Sequence, residues 1–467
     1  MKRRHLLLLW LAVLPGCIPA LVNAPREPDR GVPDTFAGST DETNSADVKW
    51  SEFFGDPRLA ALIDTALAHN QELNIVSLEL DIGQYEVDAR KGEYWPKVGA
   101  RVGTGIEKVG RTTSQGVSDE AHGVPEHLLD FNLSLYASWE IDAWGKLRSA
   151  TRAAAARYLA SVEGRNFTIT LLVQEIANSY YELLALDAQL AVLRQNLALQ
   201  QDALESVRAQ KDAARVTELA VKRFEAEVLK NESRQYTIAQ QQVALENRIN
   251  FLVGRFPQHV DRDPRDFTSL LPPAVHAGLP AQLLVNRPDV KQAELGLSAA
   301  ALDVKVARAS FFPSLAITAA FGTQSFDILK LVTTPASLFY NAATELLAPL
   351  FNRNQLTANY FTANSKQQQA VFNYERAILK GVAEVGSQLG AIENLEKSYT
   401  LRAAAAEKLN ESSAISADLF ASARADYVEV LLTRREALES QLELIETRKQ
   451  QLNAVVNLYQ ALGGGWR

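Results

Sequence analysis

The chain has 467 residues, enough for two or three ordinary domains; 47% are hydrophobic and 22% charged, so it is neither disordered nor an ordinary helical membrane protein. A net charge of -7 argues against general nucleic-acid binding, which needs a basic face. After residue 20 there is no apolar run of about 18 residues, so no spanning helix is expected and membrane insertion would have to use strands.

The N-terminus reads as an address. Lys2, Arg3 and Arg4 precede a short apolar core, residues 6–14, and Gly16-Cys17 closes it, which predicts a signal peptide over residues 1–16. Cys17 is the only cysteine, so no intrachain disulfide can form. Leu14-Pro15-Gly16-Cys17 resembles a bacterial lipoprotein box, in which the cysteine is lipidated and becomes the mature N-terminus. The resemblance makes Cys17 a lipid anchor, and Ile18 after it favours sorting to the outer membrane. Residues 17–49, rich in Pro, Asp, Ser and Thr, read as an extended, lipid-anchored tether.

A helical region is expected over about 56–93, then a strand over 97–106 with Val98, Ala100, Val102, Thr104 and Ile106 on one face and Gly99, Arg101, Gly103 and Gly105 on the other. Residues 107–129 are polar and glycine-bearing and read as a loop. A second strand, 131–141, puts Phe131, Leu133, Leu135, Ala137 and Trp139 on one face, and Asn132, Ser134, Tyr136 and Ser138 on the other. Two alternating strands joined by a long polar loop fit a membrane-barrel hairpin, or an antiparallel sheet of a soluble domain.

A long helical hairpin follows, 149–253. Ile176, Leu183, Leu190, Leu197 and Leu204 recur every seven residues, with Leu186, Leu193 and Val207 as a companion seam. About 60 residues give a rod of roughly 90 Å. The plan then recurs: residues 73–105 align without a gap on 290–322, at a constant offset of 217, so that Tyr94-Trp95-Pro96 falls on Phe311-Phe312-Pro313. Proline cannot continue a helix, so each copy reads helix, stop, strand. The first repeat is 50–264 and the second 265–467, with strands at 314–322 and 337–347 and a helical hairpin over 364–462. Its seams include Ile378, Val382, Val385, Leu389 and Ile392, then Leu431, Leu438, Ile445, Leu452 and Tyr459.

Enzyme chemistry is not in evidence. HExxH, GxSxG and P-loop patterns are missing, and a single cysteine rules out CxxC sites. His122 and His127 lie near Glu120 and Glu126, a composition that could hold a metal, but a solvated loop is the plainer reading, and no metal site is assigned.

Three motifs complete the pattern: residues 50–59 (Trp50-Ser51-Glu52-Phe53-Phe54-Gly55-Asp56-Pro57-Arg58-Leu59), residues 279–290 around Arg287-Pro288-Asp289-Val290, and Ala461-Leu462-Gly463-Gly464-Gly465-Trp466. With these, the chain resembles the outer membrane factor family, the outer membrane efflux channels of tripartite resistance-nodulation-division-type pumps, in its lipoprotein branch. The resemblance implies a mainly α fold with a membrane β-barrel: an internally duplicated chain whose helical hairpins form a periplasmic α-barrel, with four strands per chain in a shared trimeric barrel. It implies a passive, non-enzymatic exit duct for drugs or other toxic compounds, at the outer membrane of a Gram-negative bacterium. The partners implied are two further copies, a periplasmic adaptor, an inner-membrane transporter and outer-membrane lipid. The only attached group implied is diacylglycerol plus an N-acyl chain on Cys17.

The resemblance also nominates sites. The hairpin turns, which in the family meet the adaptor, are here Ala214, Arg215, Val216 and Thr217, and Ala423, Arg424 and Ala425, 209 residues on. The family usually has glycine where Ala214 and Ala423 stand. Alanine disfavours a left-handed backbone, so both turns are expected to be tight, helix-like bends. Glu429, with Asp426 three residues earlier on the same helix face, falls where the family places the carboxylates of a periplasmic gate; Leu432 takes a place where some members carry a second acid. A ring of three Glu429 side chains would favour cations; alternatively both acids only stabilise a helix N-terminus. An outer-membrane duct for type I protein secretion uses the same fold, and neighbouring genes would separate the two. A periplasmic coiled-coil scaffold lipoprotein is a third reading, which membrane fractionation would decide.

Overall fold

The computed structural model describes residues 18–21, 23–36, 38, 40–263, 267–351, 353–422 and 424–467. Cys17, the signal segment and Ala423 lie outside the described residues. The chain forms two compact units, one from residues 1–28, 80–161 and 294–373, the other from 29–79, 162–293 and 374–467.

The first unit holds the sheet. Strands β1 (Lys97–Glu107), β2 (Leu128–Ile141), β3 (Ser314–Ser325) and β4 (Leu338–Leu347) pair antiparallel in chain order, which leaves β1 and β4 as open edges. Register sorts the faces. Val102 opposes Leu133, Leu133 opposes Thr323, Leu135 opposes Ala100 and Phe321, and Phe321 opposes Tyr340. That apolar face lies open: Val102 is 82%, Leu135 55% and Tyr340 80% exposed. The other face is polar and small, with Arg101 opposite Ser134 and Asn132 opposite Gln324. Gly99 leaves room there for the tip of the Tyr136 ring, which a Cβ would meet at 2.6 Å. The repeated aromatic-proline turns brace the strand ends. Trp139 Nε1 donates to the Tyr94 carbonyl, and Trp144 Nε1 donates to the Pro313 carbonyl while its ring stacks on Phe312 at 4.9 Å.

The segment joining β1 to β2 departs from the expected loop. It contains a helix, Ser114–Ala121, whose N-cap Thr113 accepts from the Gly116 amide. A Cβ on Gly116 would lie 2.1 Å from the Gly110 carbonyl, so glycine lets the turn fold back on itself.

The first helical region is also not continuous. Helix α1 (Trp50–Phe54) ends at Gly55 in the left-handed conformation, α2 runs Pro57–His69 and α3 runs Gln71–Gly92. Asn70 makes the break: its side-chain oxygen accepts from the Leu73 amide and its Nδ2 donates to the Leu252 carbonyl. Asp56 caps α2 through the Arg58 amide and accepts from the Tyr180 hydroxyl. Phe53 stacks on Tyr459 at 4.1 Å. The motif over residues 50–59 is thus a half-buried cap and a buried wedge, both in the second unit.

The hairpin helices are α4 (Lys146–Asp212) and α5 (Glu218–Val253), then α6 (Asn354–Ala421) and α7 (Tyr427–Ala461). In the second unit their seams are buried: Ile176, Leu183, Leu190, Leu438, Ile445, Leu452 and Tyr459 share one core with α2. The duplication is physical. Pro288–Ala309 begins and ends 217 residues after α3, and β3 begins 217 residues after β1.

Candidate functional site

Helix α4 ends in a two-bond cap. The Arg215 amide donates to the Gln210 carbonyl and the Ala214 amide to the Lys211 carbonyl, each at 2.8 Å, which satisfies two otherwise orphaned carbonyls. The cap requires a left-handed residue, and Ala214 supplies it with φ 56. The expectation of a helix-like bend is therefore wrong at Ala214: closing two terminal hydrogen bonds outweighs the Cβ penalty of about 1–2 kcal/mol. At the second turn the Arg424 amide donates to the Leu419 carbonyl at 2.8 Å, the same bond displaced by 209 residues. Ala214→Gly should relieve the penalty at some entropic cost, a net gain of roughly 0.5–1 kcal/mol. Hydrogen exchange at the Arg215 amide should slow about two- to five-fold; unchanged or faster exchange would show that the turn carries no such strain.

Arg215 and Thr217 are exposed and Val216 half-buried; Arg424 is exposed and Ala425 half-buried. Val216 packs with Phe420, Tyr427 and Leu431 against a cluster of Leu204, Val207, Val221 and Phe224, so the two turns share one apolar base. The ion pairs around the first turn, Lys211 with Glu218 and Arg208 with Glu225, are solvent-exposed and add little.

Helix α7 starts just beyond. Asp426 occupies its N-cap position with extended backbone, but its side chain makes no capping bond. Glu429, in the first turn, is exposed, and among the described residues neither carboxylate has a hydrogen-bond or ion-pair partner on its side chain. Leu432 is 39% exposed. Arg434, which the sequence did not single out, reaches from α7 to α4 and donates to the Leu199 carbonyl at 2.7 Å. Burial pulls its pKa below the ordinary value, against a smaller opposing effect of Asp202. Its signal in the sequence was position: it lies between the seam residues Leu431 and Leu438.

Arg287, also from a motif, is buried to 1% exposure. Its guanidinium grips Asp289 at 2.7 and 3.0 Å, lies 2.9 Å from Glu384 on α6, and donates to the Ala461 carbonyl at the end of α7. A Cβ on Gly381 would come within 3.1 Å of it, so the helix leaves room for the side chain. At the adjoining C-terminus Gly463 has φ 93, and a Cβ there would meet the Asn286 carbonyl at 2.5 Å.

The model of the family described as "Outer membrane efflux protein" matches residues 62–255 and again 279–464, once in each repeat. The chain belongs to the outer membrane efflux protein family. It is 30% identical over 428 residues to the pyoverdine export outer membrane protein OpmQ of Pseudomonas aeruginosa, covering 91% of this chain and 89% of that protein. It is 27% identical to the probable outer membrane lipoprotein SilC of Salmonella typhimurium, over 100% of this chain and 99% of that one. Among solved structures, a membrane protein from Pseudomonas aeruginosa superposes with a TM-score of 0.86 at 25% identity, over 95% of this chain and 100% of that one.

An outer membrane efflux channel needs a part that faces lipid and a part that crosses the periplasm. This member has a four-stranded sheet with an exposed apolar face, and long helical hairpins. The family is one of efflux ducts and not an enzyme family.

Proposed function

We propose that three copies of this chain assemble into a passive exit duct that carries small molecules across the periplasm and outer membrane of a Gram-negative cell. The observation that carries this is a four-stranded sheet with an exposed apolar face and two open edges. Unpaired edges are not tolerated in hydrocarbon, and four strands are too few to close alone. A soluble scaffold would leave that apolar face against water. Export of pyoverdine by the relative OpmQ supports a small-molecule cargo over secreted protein.

The energy comes from an inner-membrane transporter, joined through a periplasmic adaptor. The adaptor meets the hairpin turns at Ala214 to Thr217 and at Ala423, Arg424 and Ala425. Cys17 carries the lipid, in keeping with the lipoprotein SilC; palmitate labelling should mark the wild type and be lost in Cys17→Ser. No further cofactor is proposed.

Glu429, with Asp426 beside it, forms the periplasmic constriction. The missing capping bond at Asp426, and a Glu429 carboxylate without a partner among the described residues, support a role beyond helix capping. Three like charges in a narrow lumen attract cations and repel anions. Planar-bilayer recordings should show cation preference and block by multivalent cations, and both should disappear in Glu429→Gln. Unchanged selectivity and block would leave Glu429 as a helix-terminus charge.

A further inference from the structure

The segment after the predicted lipid site is not slack. The Asn364 side-chain amide donates to the Asn23 carbonyl at 3.0 Å, Gln367 to the Arg26 carbonyl at 2.9 Å and Gln368 to the Ala24 carbonyl at 3.4 Å. The Arg26 guanidinium lies 4.5 Å from the centre of the Phe372 ring. The Asp29 amide donates to Glu375 at 3.0 Å, and Arg30 lies over Tyr374. Asn364 and Gln367 are 5% and 6% exposed. All these helix residues lie on α6, so one face of that helix, with three amides among its side chains, grips an extended strap largely by its main chain. Pro25 and Pro28 favour that extended form.

The strap and the helix run in the same direction, from 23 on 364 to 29 on 375. Asn364 lies ten residues into α6, which begins seven residues after the end of β4, so the grip begins about 15 Å from the start of α6. Residue 17 precedes Asn23 by six residues, which span at most about 20 Å. Past the start of α6 that leaves a reach of only about 5 Å.

We propose that the amide-bearing face of α6 is a binding site for the N-terminal strap and acts as a length gauge, holding it so that a lipid on Cys17 can just reach the membrane in which the barrel is inserted. This rests on the reading of Cys17 as lipidated; the grip itself does not.

The test uses the full chain in cells. Deleting residues 19–22 keeps Ile18 next to Cys17 but leaves two residues, about 7 Å, to cover the same gap. Palmitate labelling confirms that processing still occurs. The deletion should lower the amount of assembled protein in the outer membrane at least tenfold. Releasing the strap with Asn364→Leu, Gln367→Leu and Gln368→Leu should restore assembly to within about twofold of the released variant alone. Normal assembly of the deletion, or no rescue by release, overturns the gauge. Trypsin cleavage after Arg26 and Arg30 in membranes, which reports strap opening directly, should be at least tenfold faster in the released variant, since each lost hydrogen bond raises the open population several-fold. Equal rates would overturn the grip. An unlabelled wild type would remove the lipid reading instead, leaving trypsin to decide whether the strap is held.

Discussion

Lysine at position 133 should cost far more than lysine at position 132. The two residues sit at the same depth of β2 but on opposite faces: Leu133 lies on the apolar face opposite Val102, and Asn132 on the polar face opposite Gly103 and Gln324. In a membrane-inserted barrel, Leu133→Lys puts an ammonium into hydrocarbon near the midplane, at about 2–4 kcal/mol, while Asn132→Lys meets water. Asn132 also accepts from the Ser134 hydroxyl, so its replacement is not free, but the loss is one part-buried hydrogen bond, about 1 kcal/mol. Reversible urea unfolding in lipid vesicles would measure both. Equal costs on the two faces would mean that the sheet does not meet lipid on its apolar side.

The second large effect is expected at Arg287→Ala. Removing the guanidinium leaves Asp289, 14% exposed on its side chain, and Glu384, 33% exposed, without their shared cation, and frees the Ala461 carbonyl. Breaking a buried pair from one side typically costs about 3–5 kcal/mol, because the remaining charges stay desolvated. Arg287→Lys should recover part of this, since an ammonium keeps the charge but cannot hold Asp289 in two places. Urea unfolding followed by helical circular dichroism tests both; a loss under about 1 kcal/mol for Arg287→Ala would mean that the start of the second repeat is held by packing alone.

What was legible in the sequence was what is periodic. The seven-residue seams mark buried positions from Ile176 to Leu204 and from Leu438 to Tyr459, because a long helix can bury a stripe only by repeating it. Strand alternation sorted the faces of β2, and the 217-residue offset located β3. What was not legible depends on partners distant in the chain or on single atoms. Asn70 breaks a helix by bonding to Leu252, 182 residues away. Asp289 reads as a charge suited to a helix N-terminus, yet its oxygens chiefly hold Arg287. Ala214 adopts the conformation its side chain disfavours because two carbonyls must be satisfied. The tether over residues 17–49 reads as a spacer from composition, but Phe36 is buried and Asn44 bridges to Ala277, so the second unit holds these later positions by contacts that composition does not encode.

In the proposed assembly, copies of this chain close one barrel that a single chain cannot. Native mass spectrometry of the protein extracted from outer membranes tests it most directly. The predicted result is a single species at three times the mass of the mature chain. A single-chain mass, in a preparation that still conducts ions across a planar bilayer, would contradict it.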